Sequence, residues 1–198
     1  MVQTLNIGSA RQPSARVRQR NEARRLGILR AAARVFRQRG IAAAGMREIA
    51  EQAGLSPGNL YHYFSGKDEI LLFCQERTLE RMQAAVDAAR GTATERLRSV
   101  LRAHVHCMLD ELEGATAHLD VESLPPKLRA PMIEKRDAYE RAVRKIVAEA
   151  MAPGDAALVT RAMLGAVNWT ARWYRPDGAQ GPDEIADTLS DYLVKGLA

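Results

Sequence analysis

Cysteine is nearly missing: Cys74 and Cys107 are the only two in 198 residues. Two thiols cannot build a multiply bridged secreted scaffold or a Cys-based zinc site. Aromatic residues are scarce as well, at 5%, which is low for a sheet-rich protein. Long apolar runs are lacking. The longest stretch without a charge, Gln52–Gly66, is 15 residues rich in turn formers, so no transmembrane helix is expected. The Arg-rich opening has no apolar run of the kind a secretory signal needs. Acid is missing from one part of the chain only. Residues 1–67 hold 12 Lys and Arg against 3 Asp and Glu, and residues 68–198 hold 17 against 21. The modest overall charge of +5 therefore divides into +9 and −4. The first part suits a polyanionic partner and the second does not. A soluble, cytoplasmic chain with reduced thiols is expected, and 46% hydrophobic residues supply a core for one domain or two small ones.

What is present is helical in pattern. Residues 1–15 are polar, with Gly8 and Pro13, and read as a mobile basic arm. From Arg16 onward Leu29, Ala32, Ala33 and Phe36 recur at helical spacing, and Gly40 stops the helix. Met46, Ile49, Ala50 and Ala53 repeat that spacing in a short second helix ended by Gly54. Ser56 caps a third, Pro57–Tyr63, with proline at its first position. Longer helices follow over 67–89, 94–112, from Pro126 to about Met151, from Asp155 to about Tyr174, and after Pro182. No useful period-2 alternation occurs, so the fold class is all-α.

Three short helices with brief turns, inside the basic part of the chain, fit a helix-turn-helix. Ala50 is small where two helices must cross, and Gly54 permits the positive φ of a tight turn. Leu55, Leu60 and Phe64 form an apolar wedge. Pro57, Gly58, Asn59, Tyr61, His62 and Tyr63 are left to face outward.

With these features, Ile28–Gly40 (ILRAAARVFRQRG) and Met46–Leu71 (MREIAEQAGLSPGNLYHYFSGKDEIL) strongly resemble the TetR family of bacterial repressors, over about residues 25–73. The resemblance implies a helix-turn-helix DNA-binding domain over 16–67 and a helical ligand-binding and dimerisation domain over 68–198. It implies that the third helix enters the major groove of a double-stranded DNA operator. Gly58 and Asn59 match the positions nearest base edges, where Asn can bond adenine bidentately. Tyr61, Tyr63 and Lys67 match phosphate-contacting positions, and Arg47 is a similar candidate. The plainer alternatives are that one of the two tyrosines is core and that Arg47 only meets solvent or Glu51. Gly45 departs from the family, which usually has Ser or Thr there. The arginines at 11, 16, 18, 20, 24 and 25 are either a solvated face or an arm that follows phosphates or a narrow minor groove.

Near the end of the chain, Gly165–Gly178 and Pro182–Leu197 resemble the last two helices of an acyl-CoA-responsive TetR subgroup. That resemblance implies a small-molecule effector, an acyl-CoA thioester from lipid or aromatic-acid catabolism, with Arg172, Trp173 and Arg175 as ligand-binding candidates. Arginine suits phosphates or a carboxylate, and tryptophan stacks on adenine. Ala166, Val167, Trp169, Leu189, Tyr192 and Leu193 read as packing at a homodimer interface. A dimer is expected because two reading helices must span half-sites about 34 Å apart on a palindrome. Met82, Met108, Met132, Met151 and Met163 could line an adaptable cavity or be ordinary core. No cofactor or metal is expected: His104 and His106 are two apart and face different ways, and His118 stands alone. No catalytic set can be assembled, so a small helical enzyme is the weaker reading. Within the regulator class, the alternative is a drug-sensing repressor of an efflux pump.

Overall fold

The computed structural model describes residues 14–110 and 121–197; the arm before them, Leu112 and His118 lie outside the described residues. Eight α-helices and a 3-10 turn, with no strand, make up the fold among the described residues. The first is α1, Ala15–Arg39, capped by Ser14. The helix starts at Ala15, one residue before its expected start, and Arg16–Arg25 form its first turns. Its buried face is Ile28, Leu29, Ala31, Ala32, Ala33, Val35 and Phe36, at the expected spacing. Gly40, at φ +77°, ends it.

Helices α2 (Met46–Gln52) and α3 (Pro57–Tyr61) follow. Gly45 lacks a capping side chain, and the cap is half-made from the other side: its N–H donates to Glu48 Oε2 at 3.1 Å. Ala50 is fully buried at the crossing, as are Ile49 and Leu60. Gly54 sits at φ +63° in the turn, a left-handed conformation that suits glycine. Ser56 Oγ accepts from the Asn59 N–H at 3.2 Å, with Pro57 at the first helical position. The third helix ends at Tyr61, two residues earlier than its pattern suggests, because Tyr63 and Phe64 already bond back to the Leu60 carbonyl in the turn.

The body consists of α4 (Lys67–Ala88), α5 (Ala93–Leu109), α6 (Pro126–Ala150), α7 (Ala156–Trp173) and α8 (Pro182–Lys195). Helix α5 lies at its centre, packed by α4, α6, α7 and α8. Several acids of the body pair with its own arginines. Arg102 pairs with both Asp183 and Asp187, and Arg98 with Asp191, so one charged face of α8 is tied to α5. One apolar cluster runs without a break from Ile28 to Val194. It includes Met82, Met108, Met132 and Met163.

Candidate functional site

Six side chains of the reading unit are expected to face outward. Pro57, Gly58, Asn59, Tyr61 and His62 are exposed, and Tyr61 keeps 54% of its surface. Tyr63 is half-buried and packs on the core. The helix is short, so its placement depends on what lies beneath it: Leu60 is wholly buried and Phe64 nearly so. Arg47, near the start of α2, is exposed and has no ion pair with Glu51 among the described residues. Lys67 is not a free surface cation. Its Nζ donates to the carbonyls of Ile41 at 2.7 Å and Ala42 at 3.0 Å, which ties the first residue of α4 to the turn between α1 and α2.

A second tie lies beside it. The Arg25 guanidinium sits 4.5 Å from the centroids of both Phe64 and Phe73, a cation–π contact to two rings at once. It also lies 3.7 Å from Glu69. Glu69 Oε2 in turn accepts the Ser65 N–H at 2.7 Å and the Ser65 hydroxyl at 2.9 Å, closing the turn between α3 and α4. Arg77 and Glu22 add a long pair at 3.9 Å. The start of α4 is thus fastened to every helix of the reading unit or to its turns.

The other end of α4 lines a cavity of about 330 Å³ in the body, walled by Leu79 and Met82 of α4, His104 of α5, Arg136 and Tyr139 of α6, and Leu164 and Asn168 of α7. Its polar wall is ordered. His104 Nε2 lies 3.0 Å from Asn168 Oδ1, and Nδ1 lies 3.0 Å from the Tyr139 hydroxyl. Since Oδ1 only accepts, Nε2 carries the proton and Nδ1 accepts from Tyr139. The amide NH2 of Asn168 is left as a donor beside the cavity. Burial pushes the His104 imidazole down to about 4 and the Tyr139 phenol up, so both are neutral across the physiological range. The burial of Arg136 also disfavours its charge.

One expected interface residue needs correction, and the expected ligand residues lie apart from this cavity. Arg172, Trp173 and Arg175 do not wall this cavity; all three are exposed at the end of α7 and just beyond it. Trp173 instead lines a small apolar cleft against Ile185, Leu189 and Tyr192 of α8. The register of α7 explains this: Leu164 and Asn168 turn inward, and Trp169 and Trp173 turn out. Val167 is completely buried within the chain, so it has no surface to offer a second copy. The remaining interface candidates divide. Trp169 and Tyr192 are 64% and 75% exposed, and Ala166, Leu189 and Leu193 are half-buried. Of the five methionines, only Met82 reaches the cavity. The residues missed, His104, Tyr139 and Asn168, left one trace: His104 sits between Leu101 and Val105 on the apolar stripe of α5, a position that demands a hydrogen-bonded imidazole.

A three-helix reading unit joined through α4 to a helical body with a cavity defines a helix-turn-helix regulator class. Similarity to known proteins agrees. Residues 28–73 match the model of bacterial regulatory proteins of the tetR family, and residues 90–197 match the tetracyclin repressor-like C-terminal domain. The chain belongs to the TetR family of transcriptional regulators. It is 29% identical to the transcriptional repressor KstR2 of Mycobacterium tuberculosis over 186 residues, covering 88% of this chain and 92% of that one. It is 42% identical to the transcriptional activator FasR of Mycolicibacterium smegmatis over 90 residues, which span 46% of this chain and 41% of FasR. The crystal structure of the TetR-family regulator PfmR from Thermus thermophilus superposes with a TM-score of 0.78 at 32% identity, covering 86% of this chain and 98% of that one. These relatives are regulators and not enzymes. Among the described residues no helix is long and apolar enough to cross a membrane, and no group of His, Cys, Asp and Glu could hold a metal.

The buried imidazole gives stability a pH dependence of definite sign. Its folded value lies below the 6.5 of a free histidine, so the unfolded chain takes up the proton first. Stability is then expected to fall by roughly 3 kcal/mol from this group as pH drops from about 6.5 to about 4. Urea unfolding between pH 7.5 and 4 checks this, and H104Q should flatten that part of the profile. An unchanged profile in H104Q would show that His104 does not titrate in this way.

Proposed function

We propose that this regulator is a ligand-responsive repressor that binds a palindromic operator as a homodimer in the cytoplasm. The observation that carries the reading is α4 itself: its first turns are tied to the reading unit through Lys67 and Glu69, and its later turns, at Leu79 and Met82, wall the cavity. An effector favours release only if it binds the released state more tightly. The exposed apolar stripe of Leu158, Trp169 and Trp173 on α7, with Tyr192 on α8, is the kind of surface that a second copy covers. Asn59, Gly58 and their neighbours read bases, and Arg47 and Tyr61 contact phosphates, as the family motif implies.

The effector is an acyl-CoA thioester whose acyl end enters the cavity. Its modest volume is at the low end for ligand sites and suits a short acyl group, with the CoA portion held outside. Leu79, Met82 and Leu164 receive the hydrocarbon, and Asn168 donates to the thioester carbonyl. Thermal shift against acyl-CoAs and free hydrophobic drugs tests this, since a ligand at 100 times its Kd stabilises by about 2.7 kcal/mol. Short acyl-CoAs are expected to stabilise the protein, and Asn168→Ala to weaken their affinity about tenfold, the loss of one hydrogen bond, which at the same ligand concentration cuts the stabilisation to about 1.4 kcal/mol. Stabilisation by free drugs alone would overturn the thioester and favour the drug-sensing alternative.

For the DNA-reading face, Asn59→Ala is expected to relax preference at one base position of each half-site by about 1–3 kcal/mol. Selection from randomised duplexes reads this directly. An identical selected sequence would remove Asn59 from base recognition.

A further inference from the structure

The opening turns of α1 carry four exposed arginines, Arg16, Arg18, Arg20 and Arg24, and a single acid, Glu22. A helix advances 100° per residue, so side chains four apart share a face and those two apart lie on nearly opposite faces. Glu22 and Arg25 turn toward α4: Glu22 meets Arg77, and Arg25 meets Phe64, Phe73 and Glu69. Arg16, Arg20 and Arg24 therefore form a separate stripe, rising about 6 Å per step. No hydrogen bond or ion pair holds Arg20 or Arg24 among the described residues.

That stripe does not face empty solvent. Arg20, Ala23 and Arg24 form one wall of an open groove of about 770 Å³ whose other wall is Leu55, Asn59, His62 and Tyr63. The groove thus joins the basic stripe of α1 to the reading helix. No acidic side chain lines it. A channel with arginine on one side and a base-reading helix on the other is complementary to one strand of a duplex leaving the major groove.

We propose that the groove between α1 and α3 holds the sugar-phosphate backbone of the DNA flanking each half-site, with Arg20 and Arg24 contacting successive phosphates. Arg16 extends the same stripe outward. The reading unit then covers more of the duplex than α3 alone spans, and the added contacts contribute affinity and register without sequence information. This inference rests on the reading of α3 as the DNA-contacting helix. It differs from it in residues and in kind: phosphate contacts on α1 add to base contacts on α3.

The experiment uses the full chain and the operator selected by the wild-type protein from randomised duplexes. Operator affinity is measured from 50 to 200 mM salt for wild type, R20A/R24A and R20E/R24E, on a long duplex and on one trimmed to the half-sites. Each phosphate contact contributes about 0.9 to the slope of log affinity against log salt. R20A/R24A is expected to shallow that slope by about 2 per reading unit, with the selected sequence unchanged, and R20E/R24E to weaken binding further. Trimming should weaken the wild type and leave R20A/R24A nearly unaffected. Both arginines are exposed and outside the core, and the circular dichroism and unfolding midpoint of the variants are expected to match wild type. A wild-type slope in R20A/R24A, or equal sensitivity of both proteins to trimming, would overturn the α1 contact alone. Failure of the wild type to select any duplex would overturn both this contact and the reading of α3.

Discussion

The position of the reading helix depends on how α4 is fastened at its first two turns. A helix of five residues, Pro57–Tyr61, is too short to be stable by itself. It is held by burial of Leu60 and Phe64 and by a joint made of two cations. Lys67 uses its ammonium on two carbonyls of the turn between α1 and α2, and Arg25 lies over Phe64 and Phe73 beside Glu69. Removing a partly buried cation from two aromatic faces forfeits about 1–2 kcal/mol. The loss falls at one place, where the reading unit meets the body.

That joint gives the long α4 helix its mechanical sense. From Lys67 to Ala88 it extends for 22 residues, about 33 Å at the helical rise. Its first turns are fastened to the reading unit, and its later turns form a wall of the cavity. In the ligand-responsive function proposed, small changes at Leu79 or Met82 would be carried along a rigid rod, since packed helices shift between discrete arrangements more readily than they bend. The body is braced against such movement elsewhere by the Asp183 and Asp187 pairs to Arg102 and by Asp191 with Arg98.

The fold was legible because its signals are local. Ala50, Gly54, Ser56 and Pro57 each have one physical role at a fixed distance from the next, and together they define two helices and a turn. The apolar stripes of α4 and α5 were equally plain at Ile70, Leu71, Cys74, Leu97, Leu101 and Val105. The cavity was not legible, because three helices distant in sequence supply its polar wall. His104, Tyr139 and Asn168 give no pattern until their helices are packed together. The position of Arg172 and Trp173 away from the cavity was hidden for a related reason. Periodicity shows that a face of α7 is apolar, and only the packing of α5 against α7 shows which face turns inward. The arginines of α1 were visible as a charge run, yet their division into a stripe toward the groove and Arg25 toward α4 required the helix.

Hydrogen exchange of the wild-type protein and of R25A/K67M tests the central role of the joint most directly. Exchange of amides in α2 and α3 is expected to rise about tenfold in the double variant, which corresponds to about 1.4 kcal/mol of lost local stability. The amides of α5 and α8 should keep their wild-type protection. Equal protection of α2 and α3 in both proteins would contradict the account, since it would show that the reading unit holds its place without Arg25 and Lys67.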